Sequence, residues 1–112
     1  MQTNRLEKLL EFIKNEPEDP FLHYALATEY LKLNDTATAL QYYEGLVKNH
    51  AGYVGTYYHL GKLYEALNRL PEARETYQAG MKVATSQRDN HAFAELKAAW
   101  QDASGEDDDD DY

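Results

Sequence analysis

Residues 57–77 read YYHLGKLYEALNRLPEARETY, and this stretch decides the fold. Its first part places apolar and aromatic residues at helical spacing, which predicts one buried helix face: Tyr57, Leu60, Gly61 and Tyr64. Asn68 interrupts this spacing, and asparagine tolerates the left-handed backbone conformation that often ends a helix. Pro71 suits the first position of the next helix, where its missing N–H costs nothing. The stretch therefore predicts two helices joined by a tight turn.

Small residues on the predicted helices indicate close helix crossings. At Ala27 and Gly61 the backbones of two helices can approach, and we expect the rings of Tyr30 and Tyr64 to fill the space beside them. Gly80 lies inside a helix, where glycine costs about 1 kcal/mol relative to alanine. We therefore expect a packing role for Gly80 as well.

The chain repeats this pattern at an offset of 34 residues. The matched pairs are Leu26 and Leu60, Ala27 and Gly61, Tyr30 and Tyr64, Asn34 and Asn68, Ala39 and Ala73, and Tyr43 and Tyr77. Self-similarity at a fixed period is typical of stacked repeats, each a small helical unit. The predicted helices are 3–15, 20–33, 36–49, 54–67, 71–85 and 89–102.

The pattern aromatic-x-x-Leu-Gly/Ala-x-x-Tyr, followed by Ala and then Tyr at this period, resembles the tetratricopeptide repeat. The resemblance implies an all-α fold, a right-handed α-solenoid of antiparallel helix pairs. It divides a helical domain, 1–103, into a half repeat at 1–19, full repeats at 20–53 and 54–87, and a capping helix at 88–103. Lys97 stands where a repeat has a small residue, so the last helix is interpreted as a cap that shields the end of the array.

The resemblance also implies a function, which is to bind a peptide or partner helix in a concave groove lined by the first helix of each repeat. The implied contact residues are Phe21, Tyr24, Thr28, Leu31, Lys32, Tyr58, Lys62 and Glu65. The alternative is that these side chains only pack. One branch of the family grips C-terminal carboxylates with Lys, Asn and Arg, but Thr28 and Lys62 stand at its asparagine positions. We do not expect that specificity here.

A second function remains open, that of a non-catalytic regulatory or assembly subunit of an enzyme complex. Such a subunit would dock through its outer or N-terminal surface. The N-terminal helix carries an unusually wide apolar arc, formed by Leu6, Leu9, Leu10, Phe12 and Ile13. Either the stems of Arg5, Glu7 and Lys14 shield this arc, or it pairs with a second copy to form a homodimer.

No catalytic pattern is present in the sequence, and we expect neither an enzyme nor a cofactor. The chain has no cysteine, and Ser86 and Ser104 lack the glycine elbow and patterned base of a serine nucleophile. The histidines are not spaced as zinc ligands on one helix, so we expect structural roles for His23, His50, His59 and His91. No metal site is predicted.

The net charge of −9 comes largely from the C-terminus, where residues 104–112 read SGEDDDDDY. This composition predicts a disordered tail. The tail is either a solubilising segment, a screen for Lys32, Lys62 or Lys97, or a weak site for divalent cations.

The rest of the chain carries no basic stripe for nucleic acid and no run of about 18 apolar residues for a membrane. The N-terminal residues contain no uninterrupted apolar stretch and no small-residue cleavage site, so we expect no signal peptide. The absence of cysteine fits a reducing compartment. We expect a cytoplasmic protein.

Overall fold

The computed structural model describes residues 3–108, which consist of helices and short turns. The helices are α1 (Thr3–Asn15), α2 (Pro20–Lys32), α3 (Thr36–Asn49), α4 (Gly55–Ala66), α5 (Leu70–Gln87) and α6 (Asn90–Asp108). The all-α class predicted from the sequence is confirmed, and the first five helices end within two residues of their predicted bounds. None of the helices in the described range is long and apolar enough to cross a bilayer.

The chain divides into two compact units, Met1–Tyr53 and Val54–Tyr112. In the first unit, α2 packs against both α1 and α3. In the second unit, α4, α5 and α6 pack against one another. The division falls where the sequence places the boundary between its two full repeats.

The turns within each repeat form as the sequence predicts. Asn34 and Asn68 adopt φ angles of 65° and 60°, in the left-handed region that ends a helix. Arg88 also has a left-handed φ, 57°, at the end of α5, and no residue pattern predicts it because arginine has no preference for this conformation. Pro71 is the second residue of α5 rather than the first, because the helix begins at Leu70.

Aspartates cap the first turns of α2 and α3. The Asp19 carboxylate accepts a hydrogen bond from the Phe21 N–H at 2.9 Å, and Asp35 accepts one from the Thr38 N–H at 3.2 Å. These bonds satisfy backbone donors that have no partner inside a helix. They fix the start of α2 and of α3.

The core of the first unit covers most of the apolar arc on α1. Leu9 is buried with three residues of α2, Leu22, Ala25 and Leu26, and partly buried side chains pack against this cluster: Leu6, Leu10, Ile13, Tyr30 and Tyr42. Phe12 differs from the other apolar residues of α1, because its side chain is 56% exposed.

A buried carboxylate joins α1 to α2, which the sequence analysis missed. Glu29 is only 2% exposed, and its Oε1 atom lies 3.2 Å from Nε of Arg5. A buried charge is costly unless an opposite charge faces it. The guanidinium of Arg5, which is itself largely exposed, therefore stabilises the docking of α1.

In the second unit, α4 and α5 cross closely at two glycines. A Cβ atom added to Gly61 would lie 2.6 Å from Cζ of Tyr77, and one added to Gly80 would lie 2.5 Å from Cβ of Tyr57. The predicted packing roles of both glycines are confirmed. The expected partner of Gly61 was wrong, because the ring that fills the space belongs to Tyr77 of α5 and not to Tyr64 of α4 itself.

The first unit has a buried alanine at the matching position. Ala27 is fully buried. The ring of Tyr30, expected beside Ala27, stacks on Tyr42 of α3 with centroids 5.7 Å apart and an interplanar angle of 13°.

Helix α6 continues beyond the predicted end of order at residue 103. It passes through Ser104 and Gly105 to Asp108, and the first part of the predicted disordered tail is therefore helical. Ala103 is buried, and its carbonyl oxygen accepts a hydrogen bond of 3.2 Å from the Arg74 guanidinium. Tertiary packing of this kind outweighs the weak helix propensity of serine and glycine. Residues 109–112 lie outside the described range.

Replacing Gly61 with alanine should destabilise the protein although alanine is the better helix former. The new methyl group would overlap the Tyr77 ring, which predicts a loss of about 1–3 kcal/mol in the free energy of unfolding. Gly45→Ala is the matched control, because a Cβ there meets nothing within 4 Å. It should stabilise by about 0.5–1 kcal/mol. Urea denaturation measures both, and equal effects would contradict the close crossing.

Removing the cation that faces Glu29 should also destabilise the fold. We expect Arg5→Ala to lower the free energy of unfolding by about 1–2 kcal/mol, since it leaves a buried carboxylate unpaired. Lys8→Ala, on the same helix, should have almost no effect. The double variant Arg5→Ala/Glu29→Gln should recover part of the loss, and a strictly additive result would argue against the ion pair.

Candidate partner-binding faces

The five predicted contact residues of the first unit lie on α2 at spacings of three, four or one, and so share one side of the helix. Phe21 is 54% exposed and Leu31 is 37% exposed, and Lys32 is exposed beside them. Tyr24 and Thr28 lie between them and are half-buried. We call this set of residues the α2 face. Its exposed part is mainly apolar.

Tyr24 and Thr28 also take part in packing. The Tyr24 ring is edge-on to Tyr43 with centroids 6.3 Å apart, and it lies 5.8 Å from the ring of Tyr53. The Thr28 hydroxyl donates to the Tyr24 carbonyl at 3.1 Å and lies 3.3 Å from the hydroxyl of Tyr43. Burial raises the pKa of Tyr43, so its hydroxyl stays protonated. These contacts hold the middle of the α2 face in one conformation.

The three predicted contact residues of the second unit share one side of α4, and we call them the α4 face. Lys62 is exposed, and its Nζ atom lies 5.5 Å from the centre of the Tyr58 ring and 3.9 Å from Oε2 of Glu65. A cation over an aromatic ring is attracted by the electron density of the ring face. The structure therefore brings these three side chains together.

Glu65 contacts a tyrosine that the sequence analysis named only as a matched repeat position. Tyr77 is fully buried, and its hydroxyl donates a hydrogen bond to the Glu65 carboxylate. Burial and the Glu65 charge raise the pKa of Tyr77 well above its ordinary value, so the hydroxyl remains a donor. The ring that passes Gly61 thus ends at the α4 face and orients one of its side chains.

Acidic side chains of α6 act on the same region. Burial lowers the pKa of His59, and the nearby Glu95 carboxylate opposes this shift. The charge of Asp102 contributes to the raised pKa of Tyr77. The α4 face itself carries one lysine and one carboxylate, Lys62 and Glu65, in contrast to the mainly apolar α2 face.

The histidines of the first unit make structural contacts. The His23 Nε2 atom lies 2.6 Å from the carbonyl oxygen of Pro17, and its ring lies 5.9 Å from that of Tyr42 and 6.1 Å from that of His50. Within residues 3–108, no group of three or more histidine, aspartate or glutamate side chains is arranged to hold a metal ion. The predicted screening of Lys32, Lys62 or Lys97 by Asp107 to Asp111 involves side chains outside the described part of the chain, and it stays a prediction.

Comparison with known proteins identifies the repeat. The family model for the tetratricopeptide repeat matches residues 24–82, more than half of the chain. The chain belongs to the tetratricopeptide-repeat family. None of the curated proteins matches it significantly.

Solved structures of other repeat proteins agree with this assignment. A tetratricopeptide repeat domain protein from Salinibacter ruber is 47% identical in its crystal structure, with 78% of this chain and 98% of that chain covered and a TM-score of 0.75. Its solution structure is 48% identical over 80% of this chain and 90% of that chain, with a TM-score of 0.77. The TPR2B domain of yeast Sti1, solved in complex with pHsp70, is 20% identical over 94% and 84% of the two chains. Its TM-score is 0.83, which shows a shared fold.

Removing the Tyr77 hydroxyl should lower the stability of the protein without creating a cavity in its core. We expect Tyr77→Phe to lower the free energy of unfolding by about 1 kcal/mol, because the half-buried Glu65 carboxylate loses its donor. Tyr42→Phe is the control, and it should change stability by less than half as much. Guanidinium denaturation monitored by circular dichroism measures both. Equal losses would show that the hydrogen bond from Tyr77 to Glu65 makes no specific contribution to stability.

Proposed function

We propose that this tetratricopeptide-repeat chain is a non-catalytic adaptor that binds a peptide or a partner helix through its α2 and α4 faces. Repeats of this family generally mediate protein–protein interaction, and they are generally not catalytic. The observation that carries the proposal is the exposure of Phe21 and Leu31 on the same side of α2. Large apolar side chains exposed together on a fixed helix are typical of an interaction surface.

The two faces favour different parts of a partner. The exposed part of the α2 face offers apolar contact area, which suits leucine, isoleucine or aromatic side chains. The α4 face offers the ring of Tyr58 together with the charges of Lys62 and Glu65, which suit polar and charged side chains. Tyr24, Thr28 and Glu65 are already held by internal hydrogen bonds or ring contacts, so binding orders few additional side chains. We propose a cytoplasmic location for this activity.

The alternative is a regulatory or assembly subunit that docks through its N-terminal or outer surface. The exposed ring of Phe12 on α1 is the observation that favours it. The symmetric homodimer through α1 belongs to the same alternative. In either case the α2 and α4 faces would remain open in the complex.

Site-specific photo-crosslinking separates the two functions. A photoreactive phenylalanine analogue is placed at position 21, 58, 12 or 48, and the full chain is crosslinked in cells. We expect the same partner to be captured from positions 21 and 58, and not from position 48, which is exposed on α3. Capture from position 12 or 48, with none from 21 and 58, would support docking through the other surfaces.

Substitution on the α4 face gives the matching affinity measurement. Once the crosslinked partner is purified, Tyr58→Ala should weaken its binding at least tenfold by calorimetry, because the ring and its cation contact are lost. Lys48→Ala should leave the affinity unchanged. An unchanged affinity for Tyr58→Ala would exclude the α4 face as a contact surface.

A further inference from the structure

Phe12 is exposed at a repeat position where the later repeats bury their residue. The offset of 34 residues relates Phe12 to Leu46 and Leu46 to Gly80. Leu46 is 1% exposed, and Gly80 is buried against Tyr57 on α4, the first helix of its own repeat. The side of α1 that carries Phe12 therefore resembles the packing side of a repeat's second helix. Within residues 3–108, no first helix covers this side of α1.

The opposite situation occurs at α6, which has the pattern of a first helix. The spacing of Phe93, Leu96 and Trp100 repeats that of Tyr57, Leu60 and Tyr64 on α4. An open cavity of about 730 Å³ lies beside it in the second unit. Four of the side chains that line this cavity are Ala79, Met81 and Lys82 of α5 and Phe93 of α6. This is the side on which the second helix of a further repeat would pack.

We propose that α1 of a second copy seats in the cavity between α5 and α6, so that copies of this chain associate head to tail. The second helix offered by one copy would then complete the repeat begun by α6 of the other. Such an interface joins two different surfaces, and it leaves one free α1 and one free cavity on every assembly that does not close into a ring.

The matching positions of the repeats predict which residues of the two copies meet in this contact. Gly80 lies against Tyr57 in the second unit, Phe12 occupies the Gly80 position of α1, and Phe93 occupies the Tyr57 position of α6. Phe12 of the second copy therefore falls on Phe93. Two partly exposed aromatic rings would be buried together at the centre of the interface, where such anchors contribute most.

A symmetric α1–α1 pair would leave this cavity open.

Sedimentation velocity of the full chain from about 10 μM to 1 mM tests the proposal. We expect the weight-average mass to rise with concentration and to pass that of a dimer. Phe12→Asp should weaken association at least tenfold, while Phe21→Asp, at a ring of nearly equal exposure on α2, should leave it unchanged. Circular dichroism verifies that both variants fold. A monomer throughout this range, or equal effects of the two substitutions, would overturn the proposal.

A mixing experiment distinguishes head-to-tail contact from symmetric pairing. Ala79→Arg places a large side chain in the cavity and leaves α1 unchanged. Phe12→Asp removes the aromatic ring of α1 and leaves the cavity unchanged. Each variant alone should be monomeric at about 100 μM, and their mixture should give a 1:1 dimer that grows no further. A dimer formed by Ala79→Arg alone would show that α1 pairs with itself, and absence of a dimer in the mixture would likewise refute the head-to-tail interface.

Discussion

The repeat depends on the ring of Tyr77 passing directly over Gly61. Any side chain at residue 61 would occupy the space of that ring, so the approach of α4 and α5 requires glycine there. The same tyrosine then donates its hydroxyl to Glu65, which lies on the outward side of α4. One side chain therefore sets the distance between two helices and orients a residue of the candidate binding face.

This arrangement separates the packing side of each first helix from the side that a partner can reach. On α4 the buried side carries Tyr57, Leu60 and Gly61, and Tyr58 and Lys62 lie on the other side. On α2 the difference is larger, because Phe21 remains mostly exposed although it is fully apolar. The packing of the helices therefore leaves apolar side chains such as Phe21 exposed on α2.

The sequence predicts the helices, the asparagine turns and the packing glycines because each depends on local chemistry that repeats at one offset. It does not predict which ring fills the space at Gly61, since Tyr64 and Tyr77 both have suitable spacing and only the three-dimensional crossing selects Tyr77. The burial of Glu29 was also missed, because it depends on Arg5 from a helix 24 residues earlier in the sequence. The extension of α6 to Asp108 depends on the packing of Ala103, which propensity alone does not reveal.

The candidate site was predictable only as a set of positions on two helices. Helical spacing alone puts Phe21, Tyr24 and Thr28 on one side of α2, but it does not show that Tyr24 and Thr28 are held by Tyr43. It likewise gives no sign that Lys62 lies over the ring of Tyr58. These contacts depend on side-chain conformations that are fixed only when the helices pack.

Proton NMR of the full chain tests the crossing of α4 and α5 most directly. If the Tyr77 ring lies over Gly61, the α protons of Gly61 should show strong nuclear Overhauser effects to the Tyr77 ring protons and a ring-current shift away from ordinary glycine values. Gly61 α protons at ordinary helical shifts, with no Overhauser contact to Tyr77, would contradict the account.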